Sequence, residues 1–385
     1  MTEEQNKLYE KHLQVIFGTK QIESFSKSEI DETLNNLLLC LPNGGKLYKY
    51  KNINKRFNDT YYSLKNNYLW SSRADKFKDK TDCIVRFDAI NDIEELEQYL
   101  RDNPKIILKV LMKAISLEVK NINVHFDDKM LTNMVDCFDE KTNELNTSQA
   151  LKIFNKYGCK KEDNIRCVEI IKKVTKEFLE SKEKLIKEMV NNFLNFNEEF
   201  RHKSFVCSLC EDYKNKKMWD DYANGDGICI EYDFNKLKTF TYEKKLLFIS
   251  TYKVIYSDNI EDSSFVPLLK IYFEDENDAK IEKETTLKIL KDTITKSKDY
   301  LIEQEWRIYH INLKGYDNGA RLYADLVSGI IFDKKALYTK NGKKILALCK
   351  ERKWEIKVRI LNYVGTHYNY ISYEEYEKLI NRSIC

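Results

Sequence analysis

The spacing of apolar residues predicts a helical segment at the start of the chain. Four of them recur at the interval of a single helix face, namely Ile30, Leu34, Leu37 and Leu38. Ser28 or Ser26 is suited to cap this helix, because a serine hydroxyl accepts a hydrogen bond from a free N–H of the first turn. The run 42–45, Pro-Asn-Gly-Gly, then breaks the chain. We therefore predict an N-terminal helical appendage over residues 1–44.

Alternating apolar and polar positions predict strands on both sides of a long helical region. The strand segments are 47–50, 68–72, 205–208, 228–232, 246–256, 305–311, 330–332 and 356–361. Helical patterns fill 58–66, 218–223, 271–300 and 334–351, and Gly225-Asp226-Gly227 predicts a tight turn. Strands that alternate with helices in this way are typical of an α/β or α+β protein with a mixed central sheet.

Residues 92–201 differ from the rest, because helical periodicity with Glu and Lys at the intervening positions runs through most of them. This predicts a large helical insertion. The chain then divides into the N-terminal segment 1–44, a first part of the α/β core at 45–91, the insertion at 92–201, and a second part of the core at 202–385.

Composition narrows the class of protein. The chain has 385 residues, of which 42% are hydrophobic and 33% charged, which is a globular balance. Its net charge of +3 does not favour a general polyanion binder. The ten cysteines have irregular spacing, the first eleven residues are polar, and no apolar run is long enough to cross a membrane. We expect a soluble, cytoplasmic protein with free thiols and no membrane contact.

The stretch Glu303-Gln304-Glu305-Trp306-Arg307 carries the strongest chemical signal. On a strand, residues two apart share a face, so Glu303, Glu305 and Arg307 would stand in a row. Neighbouring carboxylates separate each other's pKa values, and an adjacent arginine favours the ionised forms. We predict these three as catalytic residues. The alternative is a solvated strand edge with an ordinary ion pair.

Two aromatic segments are candidates for ligand contact. Trp219 and Tyr222 lie three residues apart, so one helix face offers both rings to a planar ligand, unless they are core anchors. On a strand, Tyr48 and Tyr50 face together and Lys49 faces away; stacking or phosphate contact competes here with ordinary β packing.

Cys207 and Cys210 form an isolated C-x-x-C pair. Half a zinc site needs two further ligands, and the nearest, Cys229 and His202, complete no recognised pattern. We interpret them as structural thiols and predict no metal.

In order, these segments resemble the bacterial "domain of unknown function 2971" family. The resemblance rests on Leu47-Tyr48-Lys49-Tyr50, Leu69-Trp70-Ser71-Ser72, Met218-Trp219-x-x-Tyr222-Ala223, Gly227-Ile228-Cys229-Ile230, Glu303-x-Glu305-Trp306-Arg307 and Gly329-Ile330-Ile331. It spans roughly residues 46–332, interrupted by the helical region.

That family in turn resembles the ADP-ribosyltransferase superfamily, which includes toxins and phage-defence effectors, and Glu303-Gln304-Glu305 is the stretch of this chain that matches the superfamily's pattern. That resemblance implies a split sheet around NAD and a catalytic glutamate in a Glu-x-Glu pattern. Glu305 would stabilise the oxocarbenium-like state and Glu303 would orient or deprotonate the acceptor. NAD contacts would come from Tyr48, Lys49, Tyr50, Ser208, Trp219 and Tyr222. The first strand carries Tyr48, Lys49 and Tyr50 where that superfamily has an arginine or histidine.

Three functions follow as hypotheses. The first is an NAD-consuming transferase or glycohydrolase in antiviral defence, with a protein or nucleic-acid acceptor. The second is a non-enzymatic module that senses a nucleotide or phage component and contacts a protein partner through the helical insertion. The third is a metal-dependent nuclease that uses the Asp and Glu residues.

Overall fold

A computed structural model of the protein describes most of the chain. The described residues are 3–16, 25–86, 94–95, 97–99, 102, 128–139, 144–157, 161–180, 184, 187, 195–258, 287–311, 315–362, 365 and 367–384. The chain divides into two compact units. The first comprises Met1–Val85, Glu198–Ile260 and Thr286–Cys385, and the second Arg86–Asn197 and Glu261–Thr285.

The first unit contains the strands. They are β1 Lys46–Lys51, β2 Tyr68–Arg73, β3 Ser204–Cys210, β4 Ile228–Asp233, β5 Thr251–Lys253, β6 Ile255–Tyr256, β7 Thr295–Lys296, β8 Glu305–Ile311, β9 Gly319–Tyr323, β10 Val327–Asp333, β11 Glu355–Leu361 and β12 Tyr368–Ser372.

The α-helices alternate with these strands in the first unit and fill the described part of the second. They are α1 Glu3–Ile16, α2 Lys27–Cys40, α3 Phe57–Lys65, α4 Asp128–Val135, α5 Thr147–Lys156, α6 Lys161–Glu180, α7 Phe196–Lys203, α8 Lys216–Ala223, α9 Tyr242–Ile249, α10 Lys334–Tyr338, α11 Lys340–Arg352 and α12 Tyr373–Ile384. A four-residue, irregular helical turn also lies at Pro42–Gly45. Short 3-10 helices occupy Ala74–Lys76, Phe234–Thr239 and Lys298–Glu303.

In the described part of the chain, ten strands form one mixed sheet that forks at β3. Its main path runs β12-β11-β10-β4-β1-β3-β2-β9, with β8 also paired to β3 and β5 to β8. Among the strand pairs of this sheet that the structure describes, β10 and β11 are parallel and the others are antiparallel. Strand β8 pairs with β3 along its whole length and so occupies one of its two edges. Strands β1 and β2 share the other edge, where β1 pairs at Cys210 and β2 at Phe205–Val206. The predicted mixed α/β class is confirmed.

The sheet is packed on both faces because its strands alternate between two apolar layers. Leu47, Leu209 and Trp306 point into the larger layer, which also takes in α2, α9 and α11. Tyr48 and Tyr50 point into the smaller layer, where α8 lies. Residues two apart on a strand share a face, so one strand such as β1 supplies both layers.

The N-terminal segment is part of the main core. Ser26 caps α2 with a capping box that includes Glu29, as the sequence predicted for one of two serines. Leu34 and Leu37 of α2 are buried in the same apolar cluster as Leu209. The N-terminal segment is helical, and its helix α2 packs against the sheet as part of the main core.

Two predicted elements differ from the structure. Within 246–256 the residues up to Ile249 complete helix α9, and the strands β5 and β6 follow, because an apolar run fits a buried helix as well as a strand. Within 271–300, residues 287–293 are helical, but Thr295–Lys296 is a strand and Lys298 begins a 3-10 helix. Residues 271–286 lie outside the described residues.

The described part of the second unit is largely helical and has its own core. Met130, Met134, Phe154 and Ile171 are buried together there. Parts of the predicted insertion, including 103–127, lie outside the described residues. The 20-residue helix α6 is rich in Lys and Glu, and within the described ranges no helix combines the length and apolar character needed to cross a bilayer.

We predict that Leu37→Ala lowers the free energy of unfolding by about 2–5 kcal/mol, because it leaves a cavity in the main core. Leu39→Ala on the same helix is the matched control, since Leu37 is 0% and Leu39 60% exposed. Urea denaturation measures both. Equal effects from the two variants would contradict the placement of α2 against the sheet.

Candidate functional site

Five ionisable side chains meet on one face of the sheet, and we call them the charged cluster: Asp82, Lys296, Glu303, Glu305 and Arg307. Glu305 and Arg307 are the first and third residues of β8, so they share a face. Lys296 ends β7, and Glu303 ends the 3-10 helix before β8. All five are close to full burial, with side chains at most 11% exposed.

Arg307 connects three separate segments. Its Nε donates to Glu305 Oε1 at 2.8 Å, and its Nη1 lies 2.8 Å from Asp82 Oδ1. The same Nη1 donates to the carbonyl oxygen of Thr293 at 2.9 Å. Because the guanidinium is fully buried, these acceptors replace the water that it loses on folding.

Lys296 links the two glutamates of the motif. Its Nζ donates to Glu303 Oε2 at 2.8 Å and to Glu305 Oε2 at 2.9 Å. It also lies 4.8 Å from the centre of the Tyr300 ring, within the range of a cation–π contact. One ammonium group therefore holds the pair of carboxylates together.

Glu305 is held in its ionised form. Burial raises its pKa, but Arg307 and Lys296 outweigh that effect and lower the pKa to about 2. A hydrogen bond from Ser208 acts in the same direction. The pKa of Arg307 is raised well above its usual value, since the attraction of Glu305 exceeds the cost of burial. The cluster thus places a fixed negative charge on the sheet.

The three sequence motifs lie on one face of the sheet. Tyr48 on β1 is directly opposite Cys210 on β3, and Cys210 is directly opposite Glu305 on β8. Two strand spacings, about 10 Å, separate Tyr48 from Glu305. Ser208 pairs with Arg307 on the same face. The structure therefore brings β1, β3, β8 and helix α8 around one region.

The predicted row of Glu303, Glu305 and Arg307 on one strand is wrong for its first member. Glu303 belongs to a 3-10 helix, and Gln304 adopts a left-handed conformation with φ 45° before β8 begins. This reversal still returns the Glu303 carboxylate to Lys296 beside Glu305. The prediction that the two carboxylates lie close together is confirmed, but the turn at Gln304, and not a shared strand face, brings them together.

Three of the predicted contact residues are packed within the core. Tyr48, Tyr50 and Trp219 are at most 5% exposed, and the Tyr50 and Trp219 rings meet edge to face at 5.4 Å. The Tyr50 hydroxyl donates to the Asp212 carbonyl, and the Trp219 indole to the Tyr213 carbonyl. This geometry favours the interpretation of these rings as core anchors beneath α8.

Tyr222 reaches the charged cluster from the surface. Its ring is 48% exposed, and its hydroxyl donates to Glu303 Oε1 at 2.7 Å. Trp219, three residues earlier on α8, points into the core, so the two rings do not form one binding face. Tyr222 and the half-exposed Tyr300 border the accessible side of Glu303 and Lys296.

Lys49 and the cysteine pair lie apart from the cluster. Lys49 faces the larger apolar layer, where its Nζ lies 3.2 Å from Cys207 Sγ. Cys207 and Cys210 point to opposite faces of β3, so they cannot bind one ion together. Within the part of the chain that the structure describes, no group of Cys, His, Asp or Glu side chains is arranged to hold a metal.

Asp82, Lys296 and Tyr300 were missed by the sequence analysis. They stand in polar stretches with no periodicity that distinguishes them from other charged residues. The available signal was weak: a lysine within ten residues of a Glu-x-Glu pair is common in a chain with 33% charged residues.

We predict that Arg307→Met lowers the free energy of unfolding by about 3–5 kcal/mol, because it leaves the buried carboxylates of Asp82 and Glu305 with Lys296 as the one cation that they share within the charged cluster. The control is Lys217→Met, whose ion pair with Asp221 is exposed to solvent and therefore contributes little. Chemical denaturation compares them. A loss in Arg307→Met no greater than in the control would show that the buried pairs contribute nothing.

The low pKa of Glu305 predicts acid sensitivity. Its folded pKa of about 2 lies below the ordinary 4.5, so its stabilisation is complete above pH 4.5 and is lost as the pH falls towards 2. The loss is on the order of 3 kcal/mol. Glu305→Gln should therefore flatten the pH dependence of unfolding in that window, whereas the exposed Glu355→Gln should not. Parallel curves for wild type and Glu305→Gln would refute this assignment.

Comparison with known proteins matches part of the chain to a protein family. Residues 218–308 match the family model described as "Protein of unknown function (DUF2971)". This segment runs from α8 through Glu303, Glu305 and Arg307 into β8, and so includes much of the charged cluster. No curated protein and no solved structure shows significant similarity to the chain. The match at 218–308 confirms the predicted resemblance of this chain to the domain of unknown function 2971 family.

Proposed function

We propose that this protein consumes NAD, as an ADP-ribosyltransferase or NAD glycohydrolase, with Glu305 as the catalytic carboxylate. One observation carries the proposal: a buried carboxylate, held ionised by Arg307 and Lys296, lies beside a second carboxylate that the surface residue Tyr222 contacts. A fixed negative charge is what a developing oxocarbenium ion needs, because it stabilises positive charge without rearrangement.

The proposed reaction breaks the bond between the ribose C1′ and the nicotinamide nitrogen. The electron pair of that bond leaves with the nitrogen, which neutralises the pyridinium and leaves positive charge on the ribose. Glu305 stabilises that charge. The nucleophilic atom of the acceptor or water then forms the new bond to C1′, and Glu303 accepts the proton that this atom loses. Tyr222 and Lys296 orient Glu303 through their hydrogen bonds to its two oxygens.

Further support comes from the surroundings of the cluster. The sheet forks at β3, whose Ser208 bonds to Glu305. Tyr222 and Tyr300 place two partly exposed rings at the accessible side, where one could stack on nicotinamide. Tyr48, Tyr50 and Trp219 then act as the packed floor beneath this region.

We predict that Glu305→Gln lowers the rate of NAD cleavage by about 100- to 1,000-fold, as loss of a preorganised electrostatic group does. Tyr222→Phe removes one hydrogen bond to Glu303 and should cost about tenfold. Asp221→Asn, exposed on the same helix, is the control. The assay measures nicotinamide release and label transfer to protein or nucleic acid, with circular dichroism to verify folding.

The proposal fails if folded wild-type protein leaves NAD intact with each class of acceptor, or if Glu305→Gln cleaves NAD as fast as wild type. A role in antiviral defence extends the same proposal. It requires that expression of the wild-type protein, but not of Glu305→Gln, depletes cellular NAD and arrests growth.

A second function is favoured by the hydrogen bonds within the charged cluster, which already occupy the oxygens of Glu305. Both oxygens of Glu305 already accept hydrogen bonds from Arg307 and Lys296, as befits a structural network that needs no substrate. In that case the protein is a non-catalytic module that binds a nucleotide or a phage component. A ligand would then raise the melting temperature without being consumed.

A further inference from the structure

A separate cavity lies on the part of the sheet formed by β2 and β9. It has a volume of about 370 Å³ and is lined by Asp59, Tyr62, Asn66, Tyr68, Arg321 and Tyr323. None of these residues belongs to the charged cluster. Its volume is within the range of small-ligand sites, which begins near 300 Å³.

The strand register explains why aromatic rings collect at this cavity. Tyr68 pairs with Tyr323 and Trp70 with Arg321 across the antiparallel strands, so these four side chains share one face. Leu69 and Leu322 occupy the other face and are buried in the main core. The aromatic side of β2 and β9 is therefore directed away from that core.

Arg321 lies close to two tyrosine rings and pairs with no carboxylate among the described residues. Its guanidinium lies 5.3 Å from the Tyr68 ring centre and 4.7 Å from that of Tyr316. No carboxylate in the described ranges lies within 4.0 Å of it; it contacts the Tyr323 hydroxyl at 3.5 Å. Its remaining N–H donors are available to an anion.

The opposite wall carries a complementary acceptor. Asp59 on α3 lines the same cavity and has no described cation within 4.0 Å of its carboxylate. Tyr62 and Tyr323 remain 58% and 48% exposed beside it. The cavity therefore combines stacking surfaces, an unpaired cation and an unpaired anion within one small volume.

This combination matches the parts of a nucleotide. Any nucleobase can stack on a tyrosine ring, because every base has a flat aromatic face. An arginine beside the rings can bind the phosphate. Asp59 suits the hydroxyls of the sugar or an amino group of the base. An uncharged sugar has no anionic group to pair with Arg321. A flat protein surface would not fill a concave polar site.

We propose that this cavity binds one nucleotide unit, with the base against Tyr68 or Tyr323 and the phosphate on Arg321. The unit is either a free mononucleotide or one residue of a single-stranded nucleic acid. The site is independent of the proposed NAD cleavage at Glu305.

The test is calorimetric titration of the full chain with AMP, UMP, adenosine and a ten-residue oligothymidine. Arg321→Gln should weaken binding of AMP and UMP at least tenfold and change adenosine binding less than threefold. Tyr323→Leu should weaken all of these ligands. Arg382→Gln, an exposed arginine on α12, and Tyr338→Leu, an exposed tyrosine on α10, are the matched controls.

Tighter binding of the oligothymidine than of UMP identifies single-stranded nucleic acid as the source of the nucleotide, and comparable binding identifies a mononucleotide. The proposal is overturned if none of the four ligands binds at millimolar concentration, or if Arg321→Gln and Tyr323→Leu bind as the wild type does. Glu305→Gln should retain this binding, which separates the outcome from that of the NAD assay.

Discussion

The buried guanidinium of Arg307 is the interaction on which the arrangement of the site depends. It joins β8 to Asp82 and to the carbonyl of Thr293, which are 225 and 14 residues away along the chain. A buried cation is stable only when acceptors replace its hydration, so the segments that supply them are held in one geometry. Lys296 and Glu303 are drawn into the same network by Glu305.

The charged cluster has three carboxylates and two cations, so its formal net charge is −1 when all are ionised. Such a network adds little net stability compared with apolar packing, but loss of any one partner is costly. Its residual negative charge also allows the cluster to attract a positively charged group. In the proposed function, the arrangement that fixes Arg307 would also let Glu305 stabilise a cation at the accessible side of Glu303.

The strands that pair with β3 determine where the two surfaces of interest lie. Strand β8 occupies one edge of β3, while β1 and β2 diverge from its other edge. The charged cluster follows β8, and the aromatic cavity follows β2 and β9. Two chemically different surfaces thus arise from one sheet, one dominated by carboxylates and the other by tyrosines and an unpaired arginine.

The sequence by itself determined the mixed α/β class, most strand positions, a serine cap on α2 and the proximity of Glu303 to Glu305, because these depend on local periodicity and short spacing. It did not reveal Asp82 or Lys296 as partners, nor that Tyr48, Tyr50 and Trp219 are buried while Tyr222 is accessible. Contacts across hundreds of residues have no local pattern. Only the tertiary structure, through strand register and the turn at Gln304, decided which of the charged and aromatic residues meet.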